Sequence, residues 1–202
     1  SSTEAGQLVE RIIAVSKPIG TLFDVRTGLQ AYERGKGNPP QTAADVENHV
    51  FDRHRRENKD SIRYLEGRDV ERYAIHWSGL WMQYGPWLSQ PREVGIFTRP
   101  RVLLREITGP LPYCLHYAYV EEQYWNNKSV LNILDCQDHC ANLKALTGVL
   151  NSRLVSFFYK QQAVKSGRKI FPKVVIRDLG CFPVPERLVK HEHSELVANV
   201  DK

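Results

Sequence analysis

Four short runs of strand-forming residues followed by one change of period constrain this chain more than any other feature. "YAIHW", "RVLLREI", "LPYCLHYAYV" and "SVLNILD" are β-branched or aromatic and are bounded by glycine, proline or asparagine, which predicts short strands. From Asn142 the pattern switches, with Leu143, Leu146, Leu150, Leu154 and Phe157 or Phe158 recurring at three and four. That spacing predicts one long amphipathic helix over about 141–162. Residues 4–15 show the same helical spacing, ending before Lys17-Pro18, and the tail "ERLVKHEHSELVANVDK" reads as a polar terminal helix. The expected class is α+β: a β-rich mixed core, one long helix and terminal helices. At 202 residues and 42% apolar composition, the chain is expected to bury a full core as one domain or as two lobes.

Residues 28–42, "GLQAYERGKGNPPQT", raise the first functional question, because Asn38-Pro39-Pro40-Gln41 is one residue away from the Asn-Pro-Pro-aromatic loop of amino-methyltransferases. That chemistry needs an aromatic ring in fourth place to stack on a base flipped from the duplex. It also needs a glycine-rich cofactor turn upstream. Gln41 is not aromatic, and the 37 residues before Asn38 hold no such turn. The stretch therefore reads as a loop, followed by a short helix in "TAADVENHVF" capped by Thr42.

Net charge is +5, and its distribution matters more than its total. Arg153, Lys160, Lys165, Arg168, Lys169 and Lys173 lie within 151–173 without one acidic residue. A second excess comprises Arg92, Arg99, Arg101 and Arg105 against Glu93 alone. By contrast, residues 51–72 set seven basic side chains against six acidic ones and read as nearly neutral. Concentrated positive charge attracts phosphate by displacing condensed counterions, so a nucleic acid is the expected partner.

Polar residues beside the aromatic stretch Tyr124-Trp125, namely Asn127, Lys128 and Ser129, carry the donors and acceptors that read base edges. The tryptophans themselves read mostly as core. "CQDHC" offers Cys136, His139 and Cys140, but structural zinc needs four ligands, usually in two close pairs, and the second pair is missing. No metal is expected. No nucleophile triad, phosphate loop or nuclease core can be singled out, so no catalytic residue is assigned. The absence of an 18-residue apolar run and the cysteine usage suggest a soluble, cytoplasmic protein. The start at Ser1-Ser2, with Met82 as the only methionine, suggests a piece of a longer protein.

The order "GLQAYERGKGNPPQT", "YLEGRDVERY", "RPRVLLREIT", "LTGVLNSRLVSFFY" and "IFPKVVIRDLGCFPVP" resembles the carboxyl-terminal specificity domain of Taq-type adenine methyltransferases and of fused restriction and modification enzymes. The resemblance implies a target-recognition domain over residues 19–185, preceded by a helix and linker over 1–18 and followed by a tail over 186–202. It implies double-stranded DNA as partner, and S-adenosylmethionine held by an upstream methyltransferase domain of the same polypeptide rather than by this chain. Arg34 and Lys36 in the opening loop then become phosphate contacts. Arg99, Arg101, Arg105, Lys160, Lys165, Arg168 and Lys169 join them, and Asn127, Lys128 and Ser129 become candidate base readers. The other class of function that the residues leave open is an RNA-binding or protein-interaction module without sequence readout.

Overall fold

The computed structural model describes residues 3–136, 140–165, 173–185 and 188. All six residues of the strand Val130–Asp135 are buried, which requires a neighbour on each edge and cover on both faces. Phe23–Thr27 and Arg101–Arg105 pair antiparallel with its two edges, and Tyr117–Val120 pairs antiparallel beyond the latter. Alternation along the pleat then divides the side chains between two cores. Val102, Leu104, Leu131 and Ile133 pack with Leu143, Leu146 and Leu150 of the helix Cys140–Leu150. Leu103, Ala118 and Val130 pack on Leu65, Val70 and Ile75.

A second sheet has the order Trp125–Asn126, Ser61–Leu65, Trp81–Gln83, Asp52–Arg53, with the first pair parallel and the others antiparallel. Its inner side chains Tyr64 and Met82 join Leu29, Leu88, Phe97 and Trp125 in a cluster that also takes in Leu134 of the central strand. Val130–Asp135 thereby meets the second sheet through Leu134 in this cluster and through Val130, which packs with Leu65. Ser16–Pro18 pairs antiparallel with Pro183–Pro185, a two-stranded ribbon with open edges where the missing proline donors cost nothing. The helix Glu4–Ala14 is capped by Thr3, whose Oγ1 accepts from the Gly6 N–H at 3.2 Å, and it lays Val9 and Ile12 against Phe158.

All four strand-forming runs contain strands, though "YAIHW" yields only the two residues Ala74–Ile75. Thr42 caps the short helix Ala43–Glu47 in a reciprocal arrangement: its Oγ1 accepts from the Asp45 N–H at 3.2 Å, and its own N–H donates to Asp45 Oδ2 at 2.7 Å. The long helix expected over 141–162 needs correction, since it is two helices, Cys140–Leu150 and Arg153–Lys165. Buried Asn151 makes the break. Its Oδ1 accepts from the Tyr117 N–H at 3.0 Å and its Nδ2 donates to the Tyr117 carbonyl at 2.8 Å. Ser152 Oγ then accepts from the Val155 N–H at 3.2 Å and starts the second helix. Apolar spacing does not register this break, because Leu150, Val155 and Tyr159 still face one core. The tail helix expected over 186–202 lies outside the described residues, apart from residue 188. Among the described residues no helix is long and apolar enough to cross a membrane.

Asn151→Ala should leave the Tyr117 N–H unpaired in the core, while the Tyr117 carbonyl keeps its bond from the Tyr73 N–H at 2.8 Å. We expect a loss of about 1–3 kcal/mol in denaturant unfolding, with little change in helix content by circular dichroism.

Candidate nucleic-acid interface

The opening loop is held from inside by the residue that separates it from a methyltransferase motif. Gln41 is buried; its Oε1 accepts from the Glu33 N–H at 2.9 Å, and its Nε2 donates to the carbonyls of Ala31 and Trp87, each at 2.8 Å. The Gly35 N–H donates to the Gln41 carbonyl at 2.9 Å and the Gln41 N–H to the Lys36 carbonyl at 2.8 Å. Gly37 has φ +88, and a Cβ there would stand 2.2 Å from the Trp87 carbonyl oxygen, so only glycine lets the loop close on the following sheet. Arg34 and Lys36 are left exposed at the tip, with no ion pair among the described residues.

Residues 127–129 form a second closed turn beside this loop. Asn127 Oδ1 accepts from the Ser129 N–H at 3.0 Å and from the Ser129 hydroxyl, while Ser129 Oγ accepts from the Gly67 N–H at 3.1 Å. Asn127 and Ser129 are thus largely occupied by the turn itself. Lys128 is exposed, and its Nζ donates to Gln30 Oε1 at 3.1 Å. Contact between the two segments is tight. The Leu29 N–H donates to the Asn126 carbonyl at 2.9 Å, and a Cβ on Gly28 would lie 2.1 Å from the Asn127 carbonyl oxygen.

Between them lies a cleft lined by Gln30, Tyr32, His49, Asp52, Asn127 and Lys128. Tyr32 donates to Asp52 Oδ1 at 2.5 Å and accepts from the Phe51 N–H at 2.8 Å. Burial, followed by the bond to Asp52, pushes the Tyr32 phenol well above its ordinary range, so it remains a neutral hydroxyl at any physiological pH.

The arginine excess before Glu106 does not form one surface. Arg99 is exposed, with Nε donating to the Gly95 carbonyl at 3.2 Å. Arg105 faces Glu71 at 3.7 Å, beside His116, whose Nδ1 lies 3.1 Å from the same carboxylate. Arg101, expected as a phosphate contact, is 0% exposed and cannot touch DNA. Its Nε donates to Asn132 Oδ1 at 3.0 Å, Nη1 to the carbonyls of Phe97 and Arg99 at 3.1 and 3.2 Å, and Nη2 to the Tyr124 carbonyl. Strand alternation explains the error: Arg101 follows Pro100, and its side chain points to the inner face shared with Leu103.

Lys160 is half-buried on Arg153–Lys165, and Lys173 is paired with Glu106 at 2.9 Å. Lys165 belongs to that helix, but its side chain lies outside the described residues, as do Arg168 and Lys169 altogether. Of "CQDHC", Cys136 is free and exposed, residue 139 lies outside the described residues, and nothing is described of the Cys140 side chain. No group of three or more ligating side chains occurs among the described residues.

Sequence reasoning missed the outer face of the second sheet. Arg53 and Arg63 are both register partners of Trp81, one on each neighbouring strand. The Arg56 guanidinium stands 5.4 Å from the Trp81 ring centroid, and that of Arg63 stands 4.2 Å from the Tyr124 centroid. Charge counting hid these arginines because it weighted every acid equally, whereas Asp69 is buried and spent on the Glu66 and Ser78 N–H groups.

Two loops closed by their own side chains, with cationic and amide groups left at their tips, thus meet at one cleft. The chain belongs to the TaqI-like C-terminal specificity domain family, which matches residues 62–184. This makes it a restriction-modification specificity domain, a kind of domain that serves DNA target recognition. Among solved structures it is similar to the HsdS subunit from Thermoanaerobacter tengcongensis, at 14% identity and a TM-score of 0.39, over 96% of this chain and 41% of that one. The chain thus spans less than half the length of that protein. Comparison with curated proteins finds no match.

Arg101→Met should lower unfolding stability by about 2–4 kcal/mol, since it removes the donors to four acceptors, of which Asn132 Oδ1 and the Phe97 carbonyl are bonded in the buried interior. Arg99→Ala should change it by no more than about 0.5 kcal/mol. Paired denaturant titrations distinguish the two.

Proposed function

We propose that this chain reads double-stranded DNA sequence for a restriction-modification enzyme, and that the opening loop and the 127–129 turn together form the reading edge. The observation that carries this is the meeting of Lys128 Nζ with Gln30 Oε1 at 3.1 Å. An exposed ammonium and an amide from distant parts of the chain share one cleft. Amide and ammonium groups suit base edges in the major groove, while the exposed Arg34 and Lys36 on the same loop suit phosphates. Asp52 and Glu66 line the same cleft and would repel a phosphate there, their carboxylates being held by Tyr32 and Arg68. Arg99, Arg105, Lys160, Lys165, Arg168 and Lys169 are proposed as supporting phosphate contacts.

Methyl transfer is assigned to an S-adenosylmethionine-dependent, adenine-specific domain upstream on the same polypeptide, of a type II enzyme. Gln41 supports this division of labour. A buried amide bonded to three backbone groups cannot swing out to stack on a flipped base, so the Asn-Pro-Pro-Gln loop does not fit the catalytic motif, and no step of the transfer is derived from this chain.

Selection of the full chain against a random duplex library should enrich one short sequence, bound in preference to scrambled duplex and to RNA. Lys128→Ala should relax the preference at one position by about 1–3 kcal/mol. Arg34→Ala with Lys36→Ala should instead weaken all duplexes alike and flatten the salt dependence by about one unit of slope per lost contact. No enriched sequence, or equal competition by RNA, would favour the RNA-binding or protein-interaction reading.

A further inference from the structure

We propose that the outer face of the second sheet, built on Trp81, is a separate DNA-backbone grip, with Arg56 and Arg63 as its phosphate ligands. The proposal rests on the DNA-binding reading above and goes beyond it in assigning a second surface that contacts phosphate without reading sequence.

The face is assembled by register. Trp81 stands opposite Arg53 on one neighbouring strand and opposite Arg63 on the other, and directly paired residues point to the same side of a sheet. Ser61 and Gln83, one step along on that side, are joined by a 2.8 Å bond from Gln83 Nε2 to Ser61 Oγ. Trp77 meets Trp81 edge-on at 5.0 Å. Three guanidinium groups therefore crowd a small aromatic platform.

What neutralises them decides the matter. Arg53 has a carboxylate, Glu57, at 3.7 Å, and its Nη1 donates to the His49 and Asp52 carbonyls. Arg53 is a positioning residue. Neither Arg56 nor Arg63 has a carboxylate within ion-pair distance among the described residues. Arg56 donates from Nε and Nη2 to the Asn58 and Lys59 carbonyls at 3.1 and 3.0 Å, and Arg63 from Nη1 to the Tyr124 hydroxyl at 3.1 Å. Each keeps donors unused, because a guanidinium has five.

Three of the remaining acids of the stretch are engaged elsewhere: Asp52 with Tyr32, Glu66 with Arg68 at 2.6 Å, and Glu71 with Arg105 and His116; Asp60 is exposed and makes no ion pair with either arginine. Unneutralised guanidinium edges held against rings are pre-organised, so little side-chain entropy is lost on contact. Their chemistry is that of a phosphate site.

Binding of the full chain to a defined mixed-sequence duplex, measured by anisotropy over a range of salt, tests this. Arg56→Ala with Arg63→Ala should weaken binding about tenfold or more at low salt and reduce the slope of log affinity against log salt by about two. The effect should be the same on a scrambled duplex. A variant-free arm guards against misfolding: phenylglyoxal modification of the unaltered chain, read by mass spectrometry, should show Arg56 and Arg63 protected by duplex. An unchanged slope, or equal modification with and without DNA, overturns the second surface while leaving the reading edge intact. Failure of the unaltered chain to bind any duplex overturns both.

Discussion

A buried guanidinium with no carboxylate beside it among the described residues ties together the parts of this domain. Burial alone pushes the Arg101 side chain down to about 9, which still leaves it charged at neutral pH. Desolvating such a cation costs several kcal/mol, and only a full set of well-placed acceptors offsets that. Meeting the requirement fixes three separate pieces of chain through four acceptors: the carbonyls of Phe97 and Arg99 ahead of the strand, the side chain of Asn132 across the ladder, and the carbonyl of Tyr124 in the segment leading to the second sheet. Trp125 and Phe97, next to two of those carbonyls, stack at 5.7 Å in the core the sheets share. Arg101 thus ties the strand that carries it to the segment that enters the second sheet, alongside the apolar clusters that join the two.

The recognition elements repeat this economy at smaller scale. Gln41 closes the opening loop, Asn127 closes the 127–129 turn, and Tyr124, held by its carbonyl to Arg101, places its ring under Arg63. In each case a polar or aromatic side chain is spent on fixing backbone so that a neighbouring cation is presented at little entropic cost. Arg34, Lys36 and Lys128 remain exposed because neighbours have taken the structural work. A specificity domain benefits from such division, since loop tips can change without disturbing the scaffold that carries them.

Much of the fold was legible in the sequence because burial imposes periodicity. The strand Val130–Asp135, the strand Arg101–Arg105 and the capped helix at Thr42 follow directly from pattern and local chemistry. The break at Asn151 did not, since a helix interruption that preserves the apolar face leaves periodicity nearly unchanged. Nor did Trp81–Gln83, a strand of three residues beside a glycine. The site was harder to read. Charge counting treats Arg101 and Arg56 alike, yet one is sealed in the core and the other lies over Trp81. Pairing across strands decides which cations are free, and no linear spacing encodes it.

The claim at the centre of this account is that residues far apart in sequence form one edge against DNA. Photocross-linking tests it most directly, using the full chain with a duplex carrying halogenated uracil in the major groove and peptide mapping by mass spectrometry. The account predicts cross-links to the peptides that contain Gln30 and Lys128. Cross-links confined to other peptides, with these two untouched, would contradict it.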